Sequence, residues 1–378
     1  MKILYVTARW DPRDPDSGAG VNYNVFSTIK TWADEIKIAG PFEEELTFFE
    51  RFIRKLSGYF SKKRLIKFYP SYIRYCAKQI EKIQNEFQPD VIISKASVPL
   101  VKVNLTAPLV YLCDSSVKWV MKEWPHFTKP GFWMMKRWEQ KVINKASHIL
   151  TFSHANAKVL EDYYHKPAGQ ISVHPIPSSL PHHLSHYKEN PIKPNEPIHL
   201  LLVGKTYHGK GVDIAVETVQ LCNQHGLPAE LRIVGQNGSD KENIRFMGLY
   251  EKKDSEQLQQ YIDQYHWAHF LIFPSRFDAA GIVPSEAAGF GVPTITNAAG
   301  GLETTVENGV SGIVLDKHSQ PQDYFKVIKS FYDNPEKYQA LQQTTYQRYQ
   351  NELNWNVLGE KLKIIILKAV HQDQMGEN

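Results

Sequence analysis

Two rounds of short apolar runs alternating with longer amphipathic stretches constrain this chain more than any other feature. KILYVTA, DVIISKA, PLVYLCD, HILTFSH and QISVHPI read as strands in the first half. HLLLVG, ELRIVG, HFLIFPS, PTITNA and GIVLD read as strands in the second. Segments of helical length lie between them, among them 211–225, 254–267 and 283–291. Short strands with near-continuous apolar character suit a parallel sheet covered on both faces. Alternation with helices demands crossover connections and therefore a doubly wound sheet. A chain of 378 residues is long for one domain and about right for two. The expectation is an α/β protein of two Rossmann-like domains, residues 1–180 and 198–352. The stretch 175–197 holds six prolines and little apolar periodicity, and 181–197 reads as the linker. WNVLGEKLKIIILKAV then starts a closing amphipathic helix within 353–378.

Composition excludes several classes. The three cysteines (Cys76, Cys113, Cys222) are scattered, which argues against a disulfide scaffold or a structural zinc site. The N-terminal apolar run is broken by Arg9 and Asp11, too early for the core of a signal peptide. No window approaches the roughly 20 apolar residues of a spanning helix. The expected location is the cytoplasm, either free or peripheral on the cytosolic face of a membrane. Net charge, +4, says little about partners by itself. Locally it says more: Arg51 to Lys82 carries ten Lys/Arg against Glu81, interleaved with aromatic and aliphatic residues. That is either a solvated helix face or a contact with an anionic membrane, with Lys62, Lys63, Arg64 and Lys67 at its centre. No nucleic-acid module is recognisable, so nucleic acid is not an expected partner.

Four segments carry chemical signals. In HLLLVGKTYHGKGVDIAVE, Gly204 ends a strand and Lys205 and Lys210 lie in the loop before a helix; such a loop holds phosphate, or it is a plain surface turn. In RFDAAGIVPSEAAGFGVP, Asp278 and Glu286 are eight residues apart with Gly281 between them. The amides of Gly281, Ile282 and Val283 would be first-turn donors with the helix dipole behind them, an anion site. Glu286, one turn on, could accept from a diol, and Asp278 would face the same cleft. Either acid alone could equally be a cap or a surface charge. Gly300-Gly301 is a second glycine pair that can bring amides toward a ligand, and Gly18 and Gly20 open a helix near 21–32. The DPD at 14–16 reads as a turn rather than a metal site.

The ordered set GKTYHGKG, ELRIVG and PSRFDAAGIVPSEAAGFGVPTITNAAGG resembles the nucleotide-sugar half of retaining GT-B glycosyltransferases of family 4, continuously over about 198–316. The resemblance implies two Rossmann-like domains facing across a cleft. It implies that Glu286 binds the nucleotide ribose, that Asp278 contacts the transferred sugar where Glu is usual, and that Lys210 holds the diphosphate. Lys205 takes a position where Arg is usual. Gly18 and Gly20 resemble the glycine loop near the donor phosphates. In PLVYLCDSSVKW, Cys113 stands where many members carry His, so Asp114 is the candidate acid of the first domain. Glu139 lies on the helix ahead of the last strand of that domain. The implied reaction is transfer of a hexose from a nucleotide-diphosphate sugar, with a UDP-sugar favoured and a GDP-sugar the alternative, to a cell-surface glycan or lipid-linked acceptor. Neither a cofactor nor a metal is expected. Two other readings bind the same donor: a GT-B nucleotide-sugar epimerase, and a catalytically silent partner subunit.

Overall fold

The computed structural model describes residues 1–15, 17–18, 20–43, 47–60, 69–123 and 127–376. Two compact units emerge. The first comprises Met1–His174 with Gly359–Asn378, and the second Pro175–Leu358.

The first unit is built on one sheet of six strands: β1 (Lys2–Val6), β2 (Glu35–Ala39), β3 (Val91–Ser94), β4 (Leu109–Cys113), β5 (Ala146–Thr151) and β6 (Ile171–Val173). The order is β2-β1-β3-β4-β5-β6, and every pairing is parallel. Helices α1 (Val21–Lys30), α2 (Phe48–Phe60), α3 (Pro70–Phe87), α4 (Val117–Glu123), α5 (Lys129–Lys145) and α6 (His154–Asp162) lie between the strands. β3 and β4 are buried along their whole length, as a sheet covered on both faces requires. Their side chains join Tyr72, Ile73, Cys76 and Ile80 of α3 in one core. Each such apolar side chain contributes roughly 1.5–3 kcal/mol on burial.

The second unit repeats the plan with β7 (Ile198–Val203), β8 (Ala229–Val234), β9 (Ile244–Gly248), β10 (Phe270–Phe273), β11 (Thr294–Asn297) and β12 (Gly312–Leu315). The sheet runs β12-β11-β10-β7-β8-β9, again all parallel. Its helices are α7 (Val212–Gln224), α8 (Ser255–Trp267), α9 (Ile282–Ala288), α10 (Leu302–Thr305), α11 (Pro321–Tyr332) and α12 (Pro335–Asn351). Local signals set the helix starts: Asp254 accepts the amides of Glu256 and Gln257 ahead of α8, and proline opens α11 and α12. The last helix, α13 (Trp355–Gln374), begins among the residues of the second unit and from Gly359 onward counts with the first.

Chain order reverses where β7 lies beside β10, and that switch point is where open α/β sheets bind ligands, beyond the strand carboxyl ends. The loops following these two strands, 204–211 and 274–281, therefore stand at the ligand-binding position of the second sheet. In the first sheet the corresponding reversal is at β1 and β3.

Two differences from the sequence reading have physical causes. β2 and β9 were not anticipated; both are edge strands with alternating or partial burial, EIKIA and IRFMG, and lack a continuous apolar run. The proline-rich stretch 175–197 belongs to the second unit and packs into it. Ser185 and Ile192 are buried, Tyr187 stacks on Tyr346, and the Asn190 side chain donates to the carbonyls of Trp267 and Ala268.

Candidate functional site

At the switch point of the second sheet, two loops are tied together by backbone and side chain. Gly211 caps α7 with φ +66, and a Cβ there would lie 2.1 Å from the Pro274 carbonyl oxygen, so only glycine permits this approach. Arg276 donates its backbone amide to Gly209 and closes a bidentate pair with Asp213, Nη1–Oδ1 2.9 Å and Nη2–Oδ2 2.6 Å. The Arg276 hydrogen bonds, against some desolvation, hold the Asp213 carboxyl below its ordinary range.

The tie brings Lys210 and Asp278 together: Nζ donates to Oδ2 at 2.5 Å. Lys210 Nζ also sits 4.9 Å from the Phe273 ring centroid. The other oxygen of Asp278 turns back on its own loop and accepts the Gly281 amide at 3.0 Å. The sequence reading offers the Gly281 amide to a ligand. The Gly281 amide is occupied by the short Asp278 side chain, leaving Ile282 and Val283 as the opening residues of α9, whose first-turn amides have no intrahelical acceptor. Gly300 and Gly301 likewise serve the protein itself. Gly301 donates to the Asp278 carbonyl at 2.8 Å, and a Cβ on Gly300 would meet that oxygen at 2.0 Å. Lys205 is exposed in the same loop as Lys210.

Glu286 lies one turn into α9 in a separate cluster. It is 1% exposed and holds four side-chain partners. Oε1 accepts from Lys252 Nζ at 2.7 Å and from the Ser179 hydroxyl; Oε2 accepts from Tyr261 at 2.6 Å and Tyr265 at 2.8 Å. Burial would raise its carboxyl, but the Lys252 charge and the hydrogen bonds from Lys252, Ser179 and Tyr261 outweigh it, so the pKa is held below the ordinary value. Burial, with the Glu286 charge behind it, pushes both tyrosines well up. Asp278 and Glu286 are thus not one acidic pair: each carries its own lysine.

Lys252, Tyr261, Tyr265, Ser179 and Arg276 escaped the sequence reading. The tyrosines carried a usable signal, being four apart on an amphipathic helix and therefore on one face. Lys252, in the exposed-looking EKKD after β9, carried none.

In the first unit Gly18 and Gly20 both have positive φ, +60 and +83, and Gly20 caps α1. Asn22 donates to Ser17 through its amide (3.2 Å) and side chain (3.1 Å), folding the loop onto its own helix. Asp114 follows β4 and pairs through Oδ2 with Lys95, which follows β3. Its buried Oδ1 has no hydrogen-bond partner among the described residues. Cys113, by contrast, is core: buried, with its thiol pushed up by desolvation. The loop leaving Asp114 is clamped twice. The Ser116 amide donates to Asn156 Oδ1 at 2.9 Å, and the Val117 amide donates to Glu139 Oε2 at 2.8 Å. Glu139 also accepts from Tyr164, and burial raises its carboxyl to about 7 against these hydrogen bonds. The Asp14 carbonyl accepts the Ser17 amide, and Asp16, the other acid of DPD, lies outside the described residues. Among the described residues no three metal-ligating side chains cluster. Lys62, Lys63, Arg64 and Lys67 lie outside the described residues. Among the described residues no helix is long and apolar enough to cross a membrane.

Residues 185–348 match the family model described as Glycosyl transferases group 1. D-inositol 3-phosphate glycosyltransferase 1 of Catenulispora acidiphila is 27% identical over 192 residues, 47% of this chain and 46% of that protein. The chain thus spans about half the length of this curated relative. Sucrose-phosphate synthase from Thermosynechococcus elongatus superposes over 100% of both chains with a TM-score of 0.69 at 15% identity. HepE of Anabaena in complex with UDP-glucose superposes over 97% of this chain and 100% of its own, TM-score 0.64, 15% identity. The chain therefore has the α/β two-domain GT-B fold, and residues 185–348 of its second unit are similar to group 1 glycosyl transferases.

Proposed function

We propose that this chain is a retaining glycosyltransferase of family 4 that moves a hexose from a nucleotide-diphosphate sugar, a UDP-sugar before a GDP-sugar, to a glycan or lipid-linked acceptor. The observation that carries the reading is the placement of Lys210 beside Asp278 at the switch point of a sheet whose sequence matches group 1 glycosyl transferases. HepE, a protein of the same fold, binds UDP-glucose.

As the anomeric bond breaks, negative charge develops on the departing diphosphate. Lys210, Lys205 and the first-turn amides of Ile282 and Val283 are the groups that would meet it, and preset donors are the strongest electrostatic device available to such a site. With that cation set the scheme uses no metal. Retention follows from attack on the face the diphosphate leaves, with the diphosphate taking the acceptor's proton. Asp278, freed from Lys210 when the phosphate arrives, contacts the transferred sugar, and Glu286 takes the ribose. Asp114, with one buried oxygen unpartnered, is the polar group of the first unit offered to the acceptor reaction.

A lipid-linked acceptor on the cytosolic face of a membrane suits α2. Phe48, Phe49 and Phe52 are 89%, 68% and 55% exposed, ahead of the basic stretch. Exposed aromatics beside Lys/Arg favour an anionic surface. Sedimentation with phosphatidylglycerol vesicles should fall with salt and with Lys62, Lys63 and Arg64 neutralised; no binding at low salt refutes this part.

The test of activity is a mass-spectrometric screen of nucleotide sugars for binding and turnover, with and without a glycolipid acceptor fraction. Turnover by Glu286→Ala and Lys210→Ala should be lost while the fold survives. Full activity in both variants would refute the site. Conversion of the donor to an epimer without acceptor would replace transfer by epimerisation.

A further inference from the structure

The Glu286 cluster has no vacancy. A carboxylate offers about four lone-pair positions, and four side chains occupy them. On Oε2 the two tyrosine hydroxyls stand 2.8 Å from each other and 2.6 and 2.8 Å from the acid, so two protons serve three close pairs on a side where both partners are buried. That side cannot open without breaking the core.

On Oε1 matters differ. The Lys252 side chain is 35% exposed and comes from the loop after β9 rather than from the core. Its ammonium bridges Glu286 (2.7 Å) and Ser179 (3.2 Å) and rests 4.5 Å from the Tyr261 ring centroid. A hydroxyl approaching Glu286 must take a place on Oε1, and the ammonium is the occupant that can leave toward solvent. A cation so released remains on its tether beside the ligand that displaced it.

We propose that Lys252 is an exchange residue of the nucleotide site: the vicinal hydroxyls of the ligand displace its ammonium from Glu286 Oε1, and the freed ammonium then binds the phosphates of the same ligand. The site thereby selects molecules carrying a cis-diol and an anionic group together, since a diol alone must evict the lysine without giving it a new partner. This rests on the reading of Glu286 as the ribose acceptor.

The test compares UDP with uridine, and GDP with guanosine, by ligand-observed NMR at pH 8 on wild type, Lys252→Met, Lys252→Gln and Lys252→Arg. Lys252→Gln keeps a hydrogen-bond donor near Glu286 should the Met variant fold poorly. Loss of the cation should weaken the diphosphate tenfold or more while leaving the nucleoside unchanged or tighter, because its competitor for Oε1 is gone. Lys252→Arg should keep the preference for the diphosphate. If Lys252 only props Glu286 in place, diphosphate and nucleoside weaken by the same factor, and the proposal is overturned; unaltered binding of both overturns it equally. Wild type that binds neither pair refutes the nucleotide site itself, and the exchange with it.

Discussion

Glu139→Gln is a substitution whose effect can be worked from the structure. The Glu139 carboxyl is buried between the Val117 amide and the Tyr164 hydroxyl, and desolvation lifts it from an ordinary 4.5 to about 7. A folded-state pKa above the unfolded one means that the proton stabilises the fold. That contribution is fully present below about 4.5, declines by about 1.4 kcal/mol per pH unit above it, and is gone once the pH passes about 7. Between pH 5 and pH 8 wild type therefore loses about 2.5 kcal/mol from this group. Glutamine keeps an acceptor for Val117 and does not titrate. Variant minus wild-type stability should rise by the same amount over that interval, with all other carboxylates cancelling. The neighbouring Cys113 and Tyr164 titrate far above this window. The assay is native-state hydrogen exchange on peptides from 109–164, corrected for intrinsic rates, with peptides from 198–297 of the second unit as internal control. A stability difference that is the same at pH 5 and pH 8 would refute the assignment of Glu139 as a buried group titrating near neutrality.

Gly211→Ala should destabilise the second unit by at least ~2 kcal/mol, because a left-handed φ and a carbonyl 2.1 Å from the new Cβ both oppose it; urea unfolding of the unit measures this, and a loss under 0.5 kcal/mol would contradict the contact. Arg276→Lys keeps charge but not the bidentate fork to Asp213. It should weaken UDP binding several-fold by loosening the loop that carries Asp278, while the melting temperature shifts little; equal affinity would mean that the tie does not set the site. Asp278→Glu should leave UDP binding within a few-fold and alter the relative turnover of hexose donors. An unchanged donor ranking would remove Asp278 from sugar selection.

How much of this could be read from the chain differed between strand and site. Buried parallel strands such as VIIS of β3 and FLIF of β10 announce themselves, because being covered on both faces favours an almost continuous apolar run. The edge strands β2 and β9 do not, since Glu35, Lys37 and Arg245 interrupt their apolar runs, whereas the edge strands β6 and β12 keep ISV and GIVL and are legible. At the candidate site, spacing singled out Lys210, Asp278, Gly281 and Glu286 but could not say which groups they meet. The Gly281 amide reads in sequence as a ligand donor, and in the structure it donates to Asp278, because an aspartate three residues earlier has the reach to accept it. Lys252, between strand and helix in a polar loop, looks in sequence like any surface lysine. Only the fold, by folding that loop over α8 and α9, puts it on a buried acid.

The choice of aspartate rather than glutamate at position 278 takes on a physical meaning from this geometry. One oxygen of Asp278 is spent holding the Gly281 amide, a bond that a side chain longer by one methylene would have to buckle to make. The other is spent on Lys210. The short side chain therefore stiffens the loop at the mouth of α9 and presets Lys210, and a ligand phosphate that drew Lys210 away would expose one acceptor oxygen in a fixed direction. A glutamate would present its carboxylate farther out, on a loop without that cap. Selectivity between donor sugars at this position should then depend on the direction of a single held oxygen rather than on reach alone. Asp278→Asn separates the two ideas. Its amide oxygen can still cap Gly281, its amino group repels rather than attracts Lys210, and donor turnover should fall while the loop, followed by hydrogen exchange of 274–289, stays as protected as in wild type.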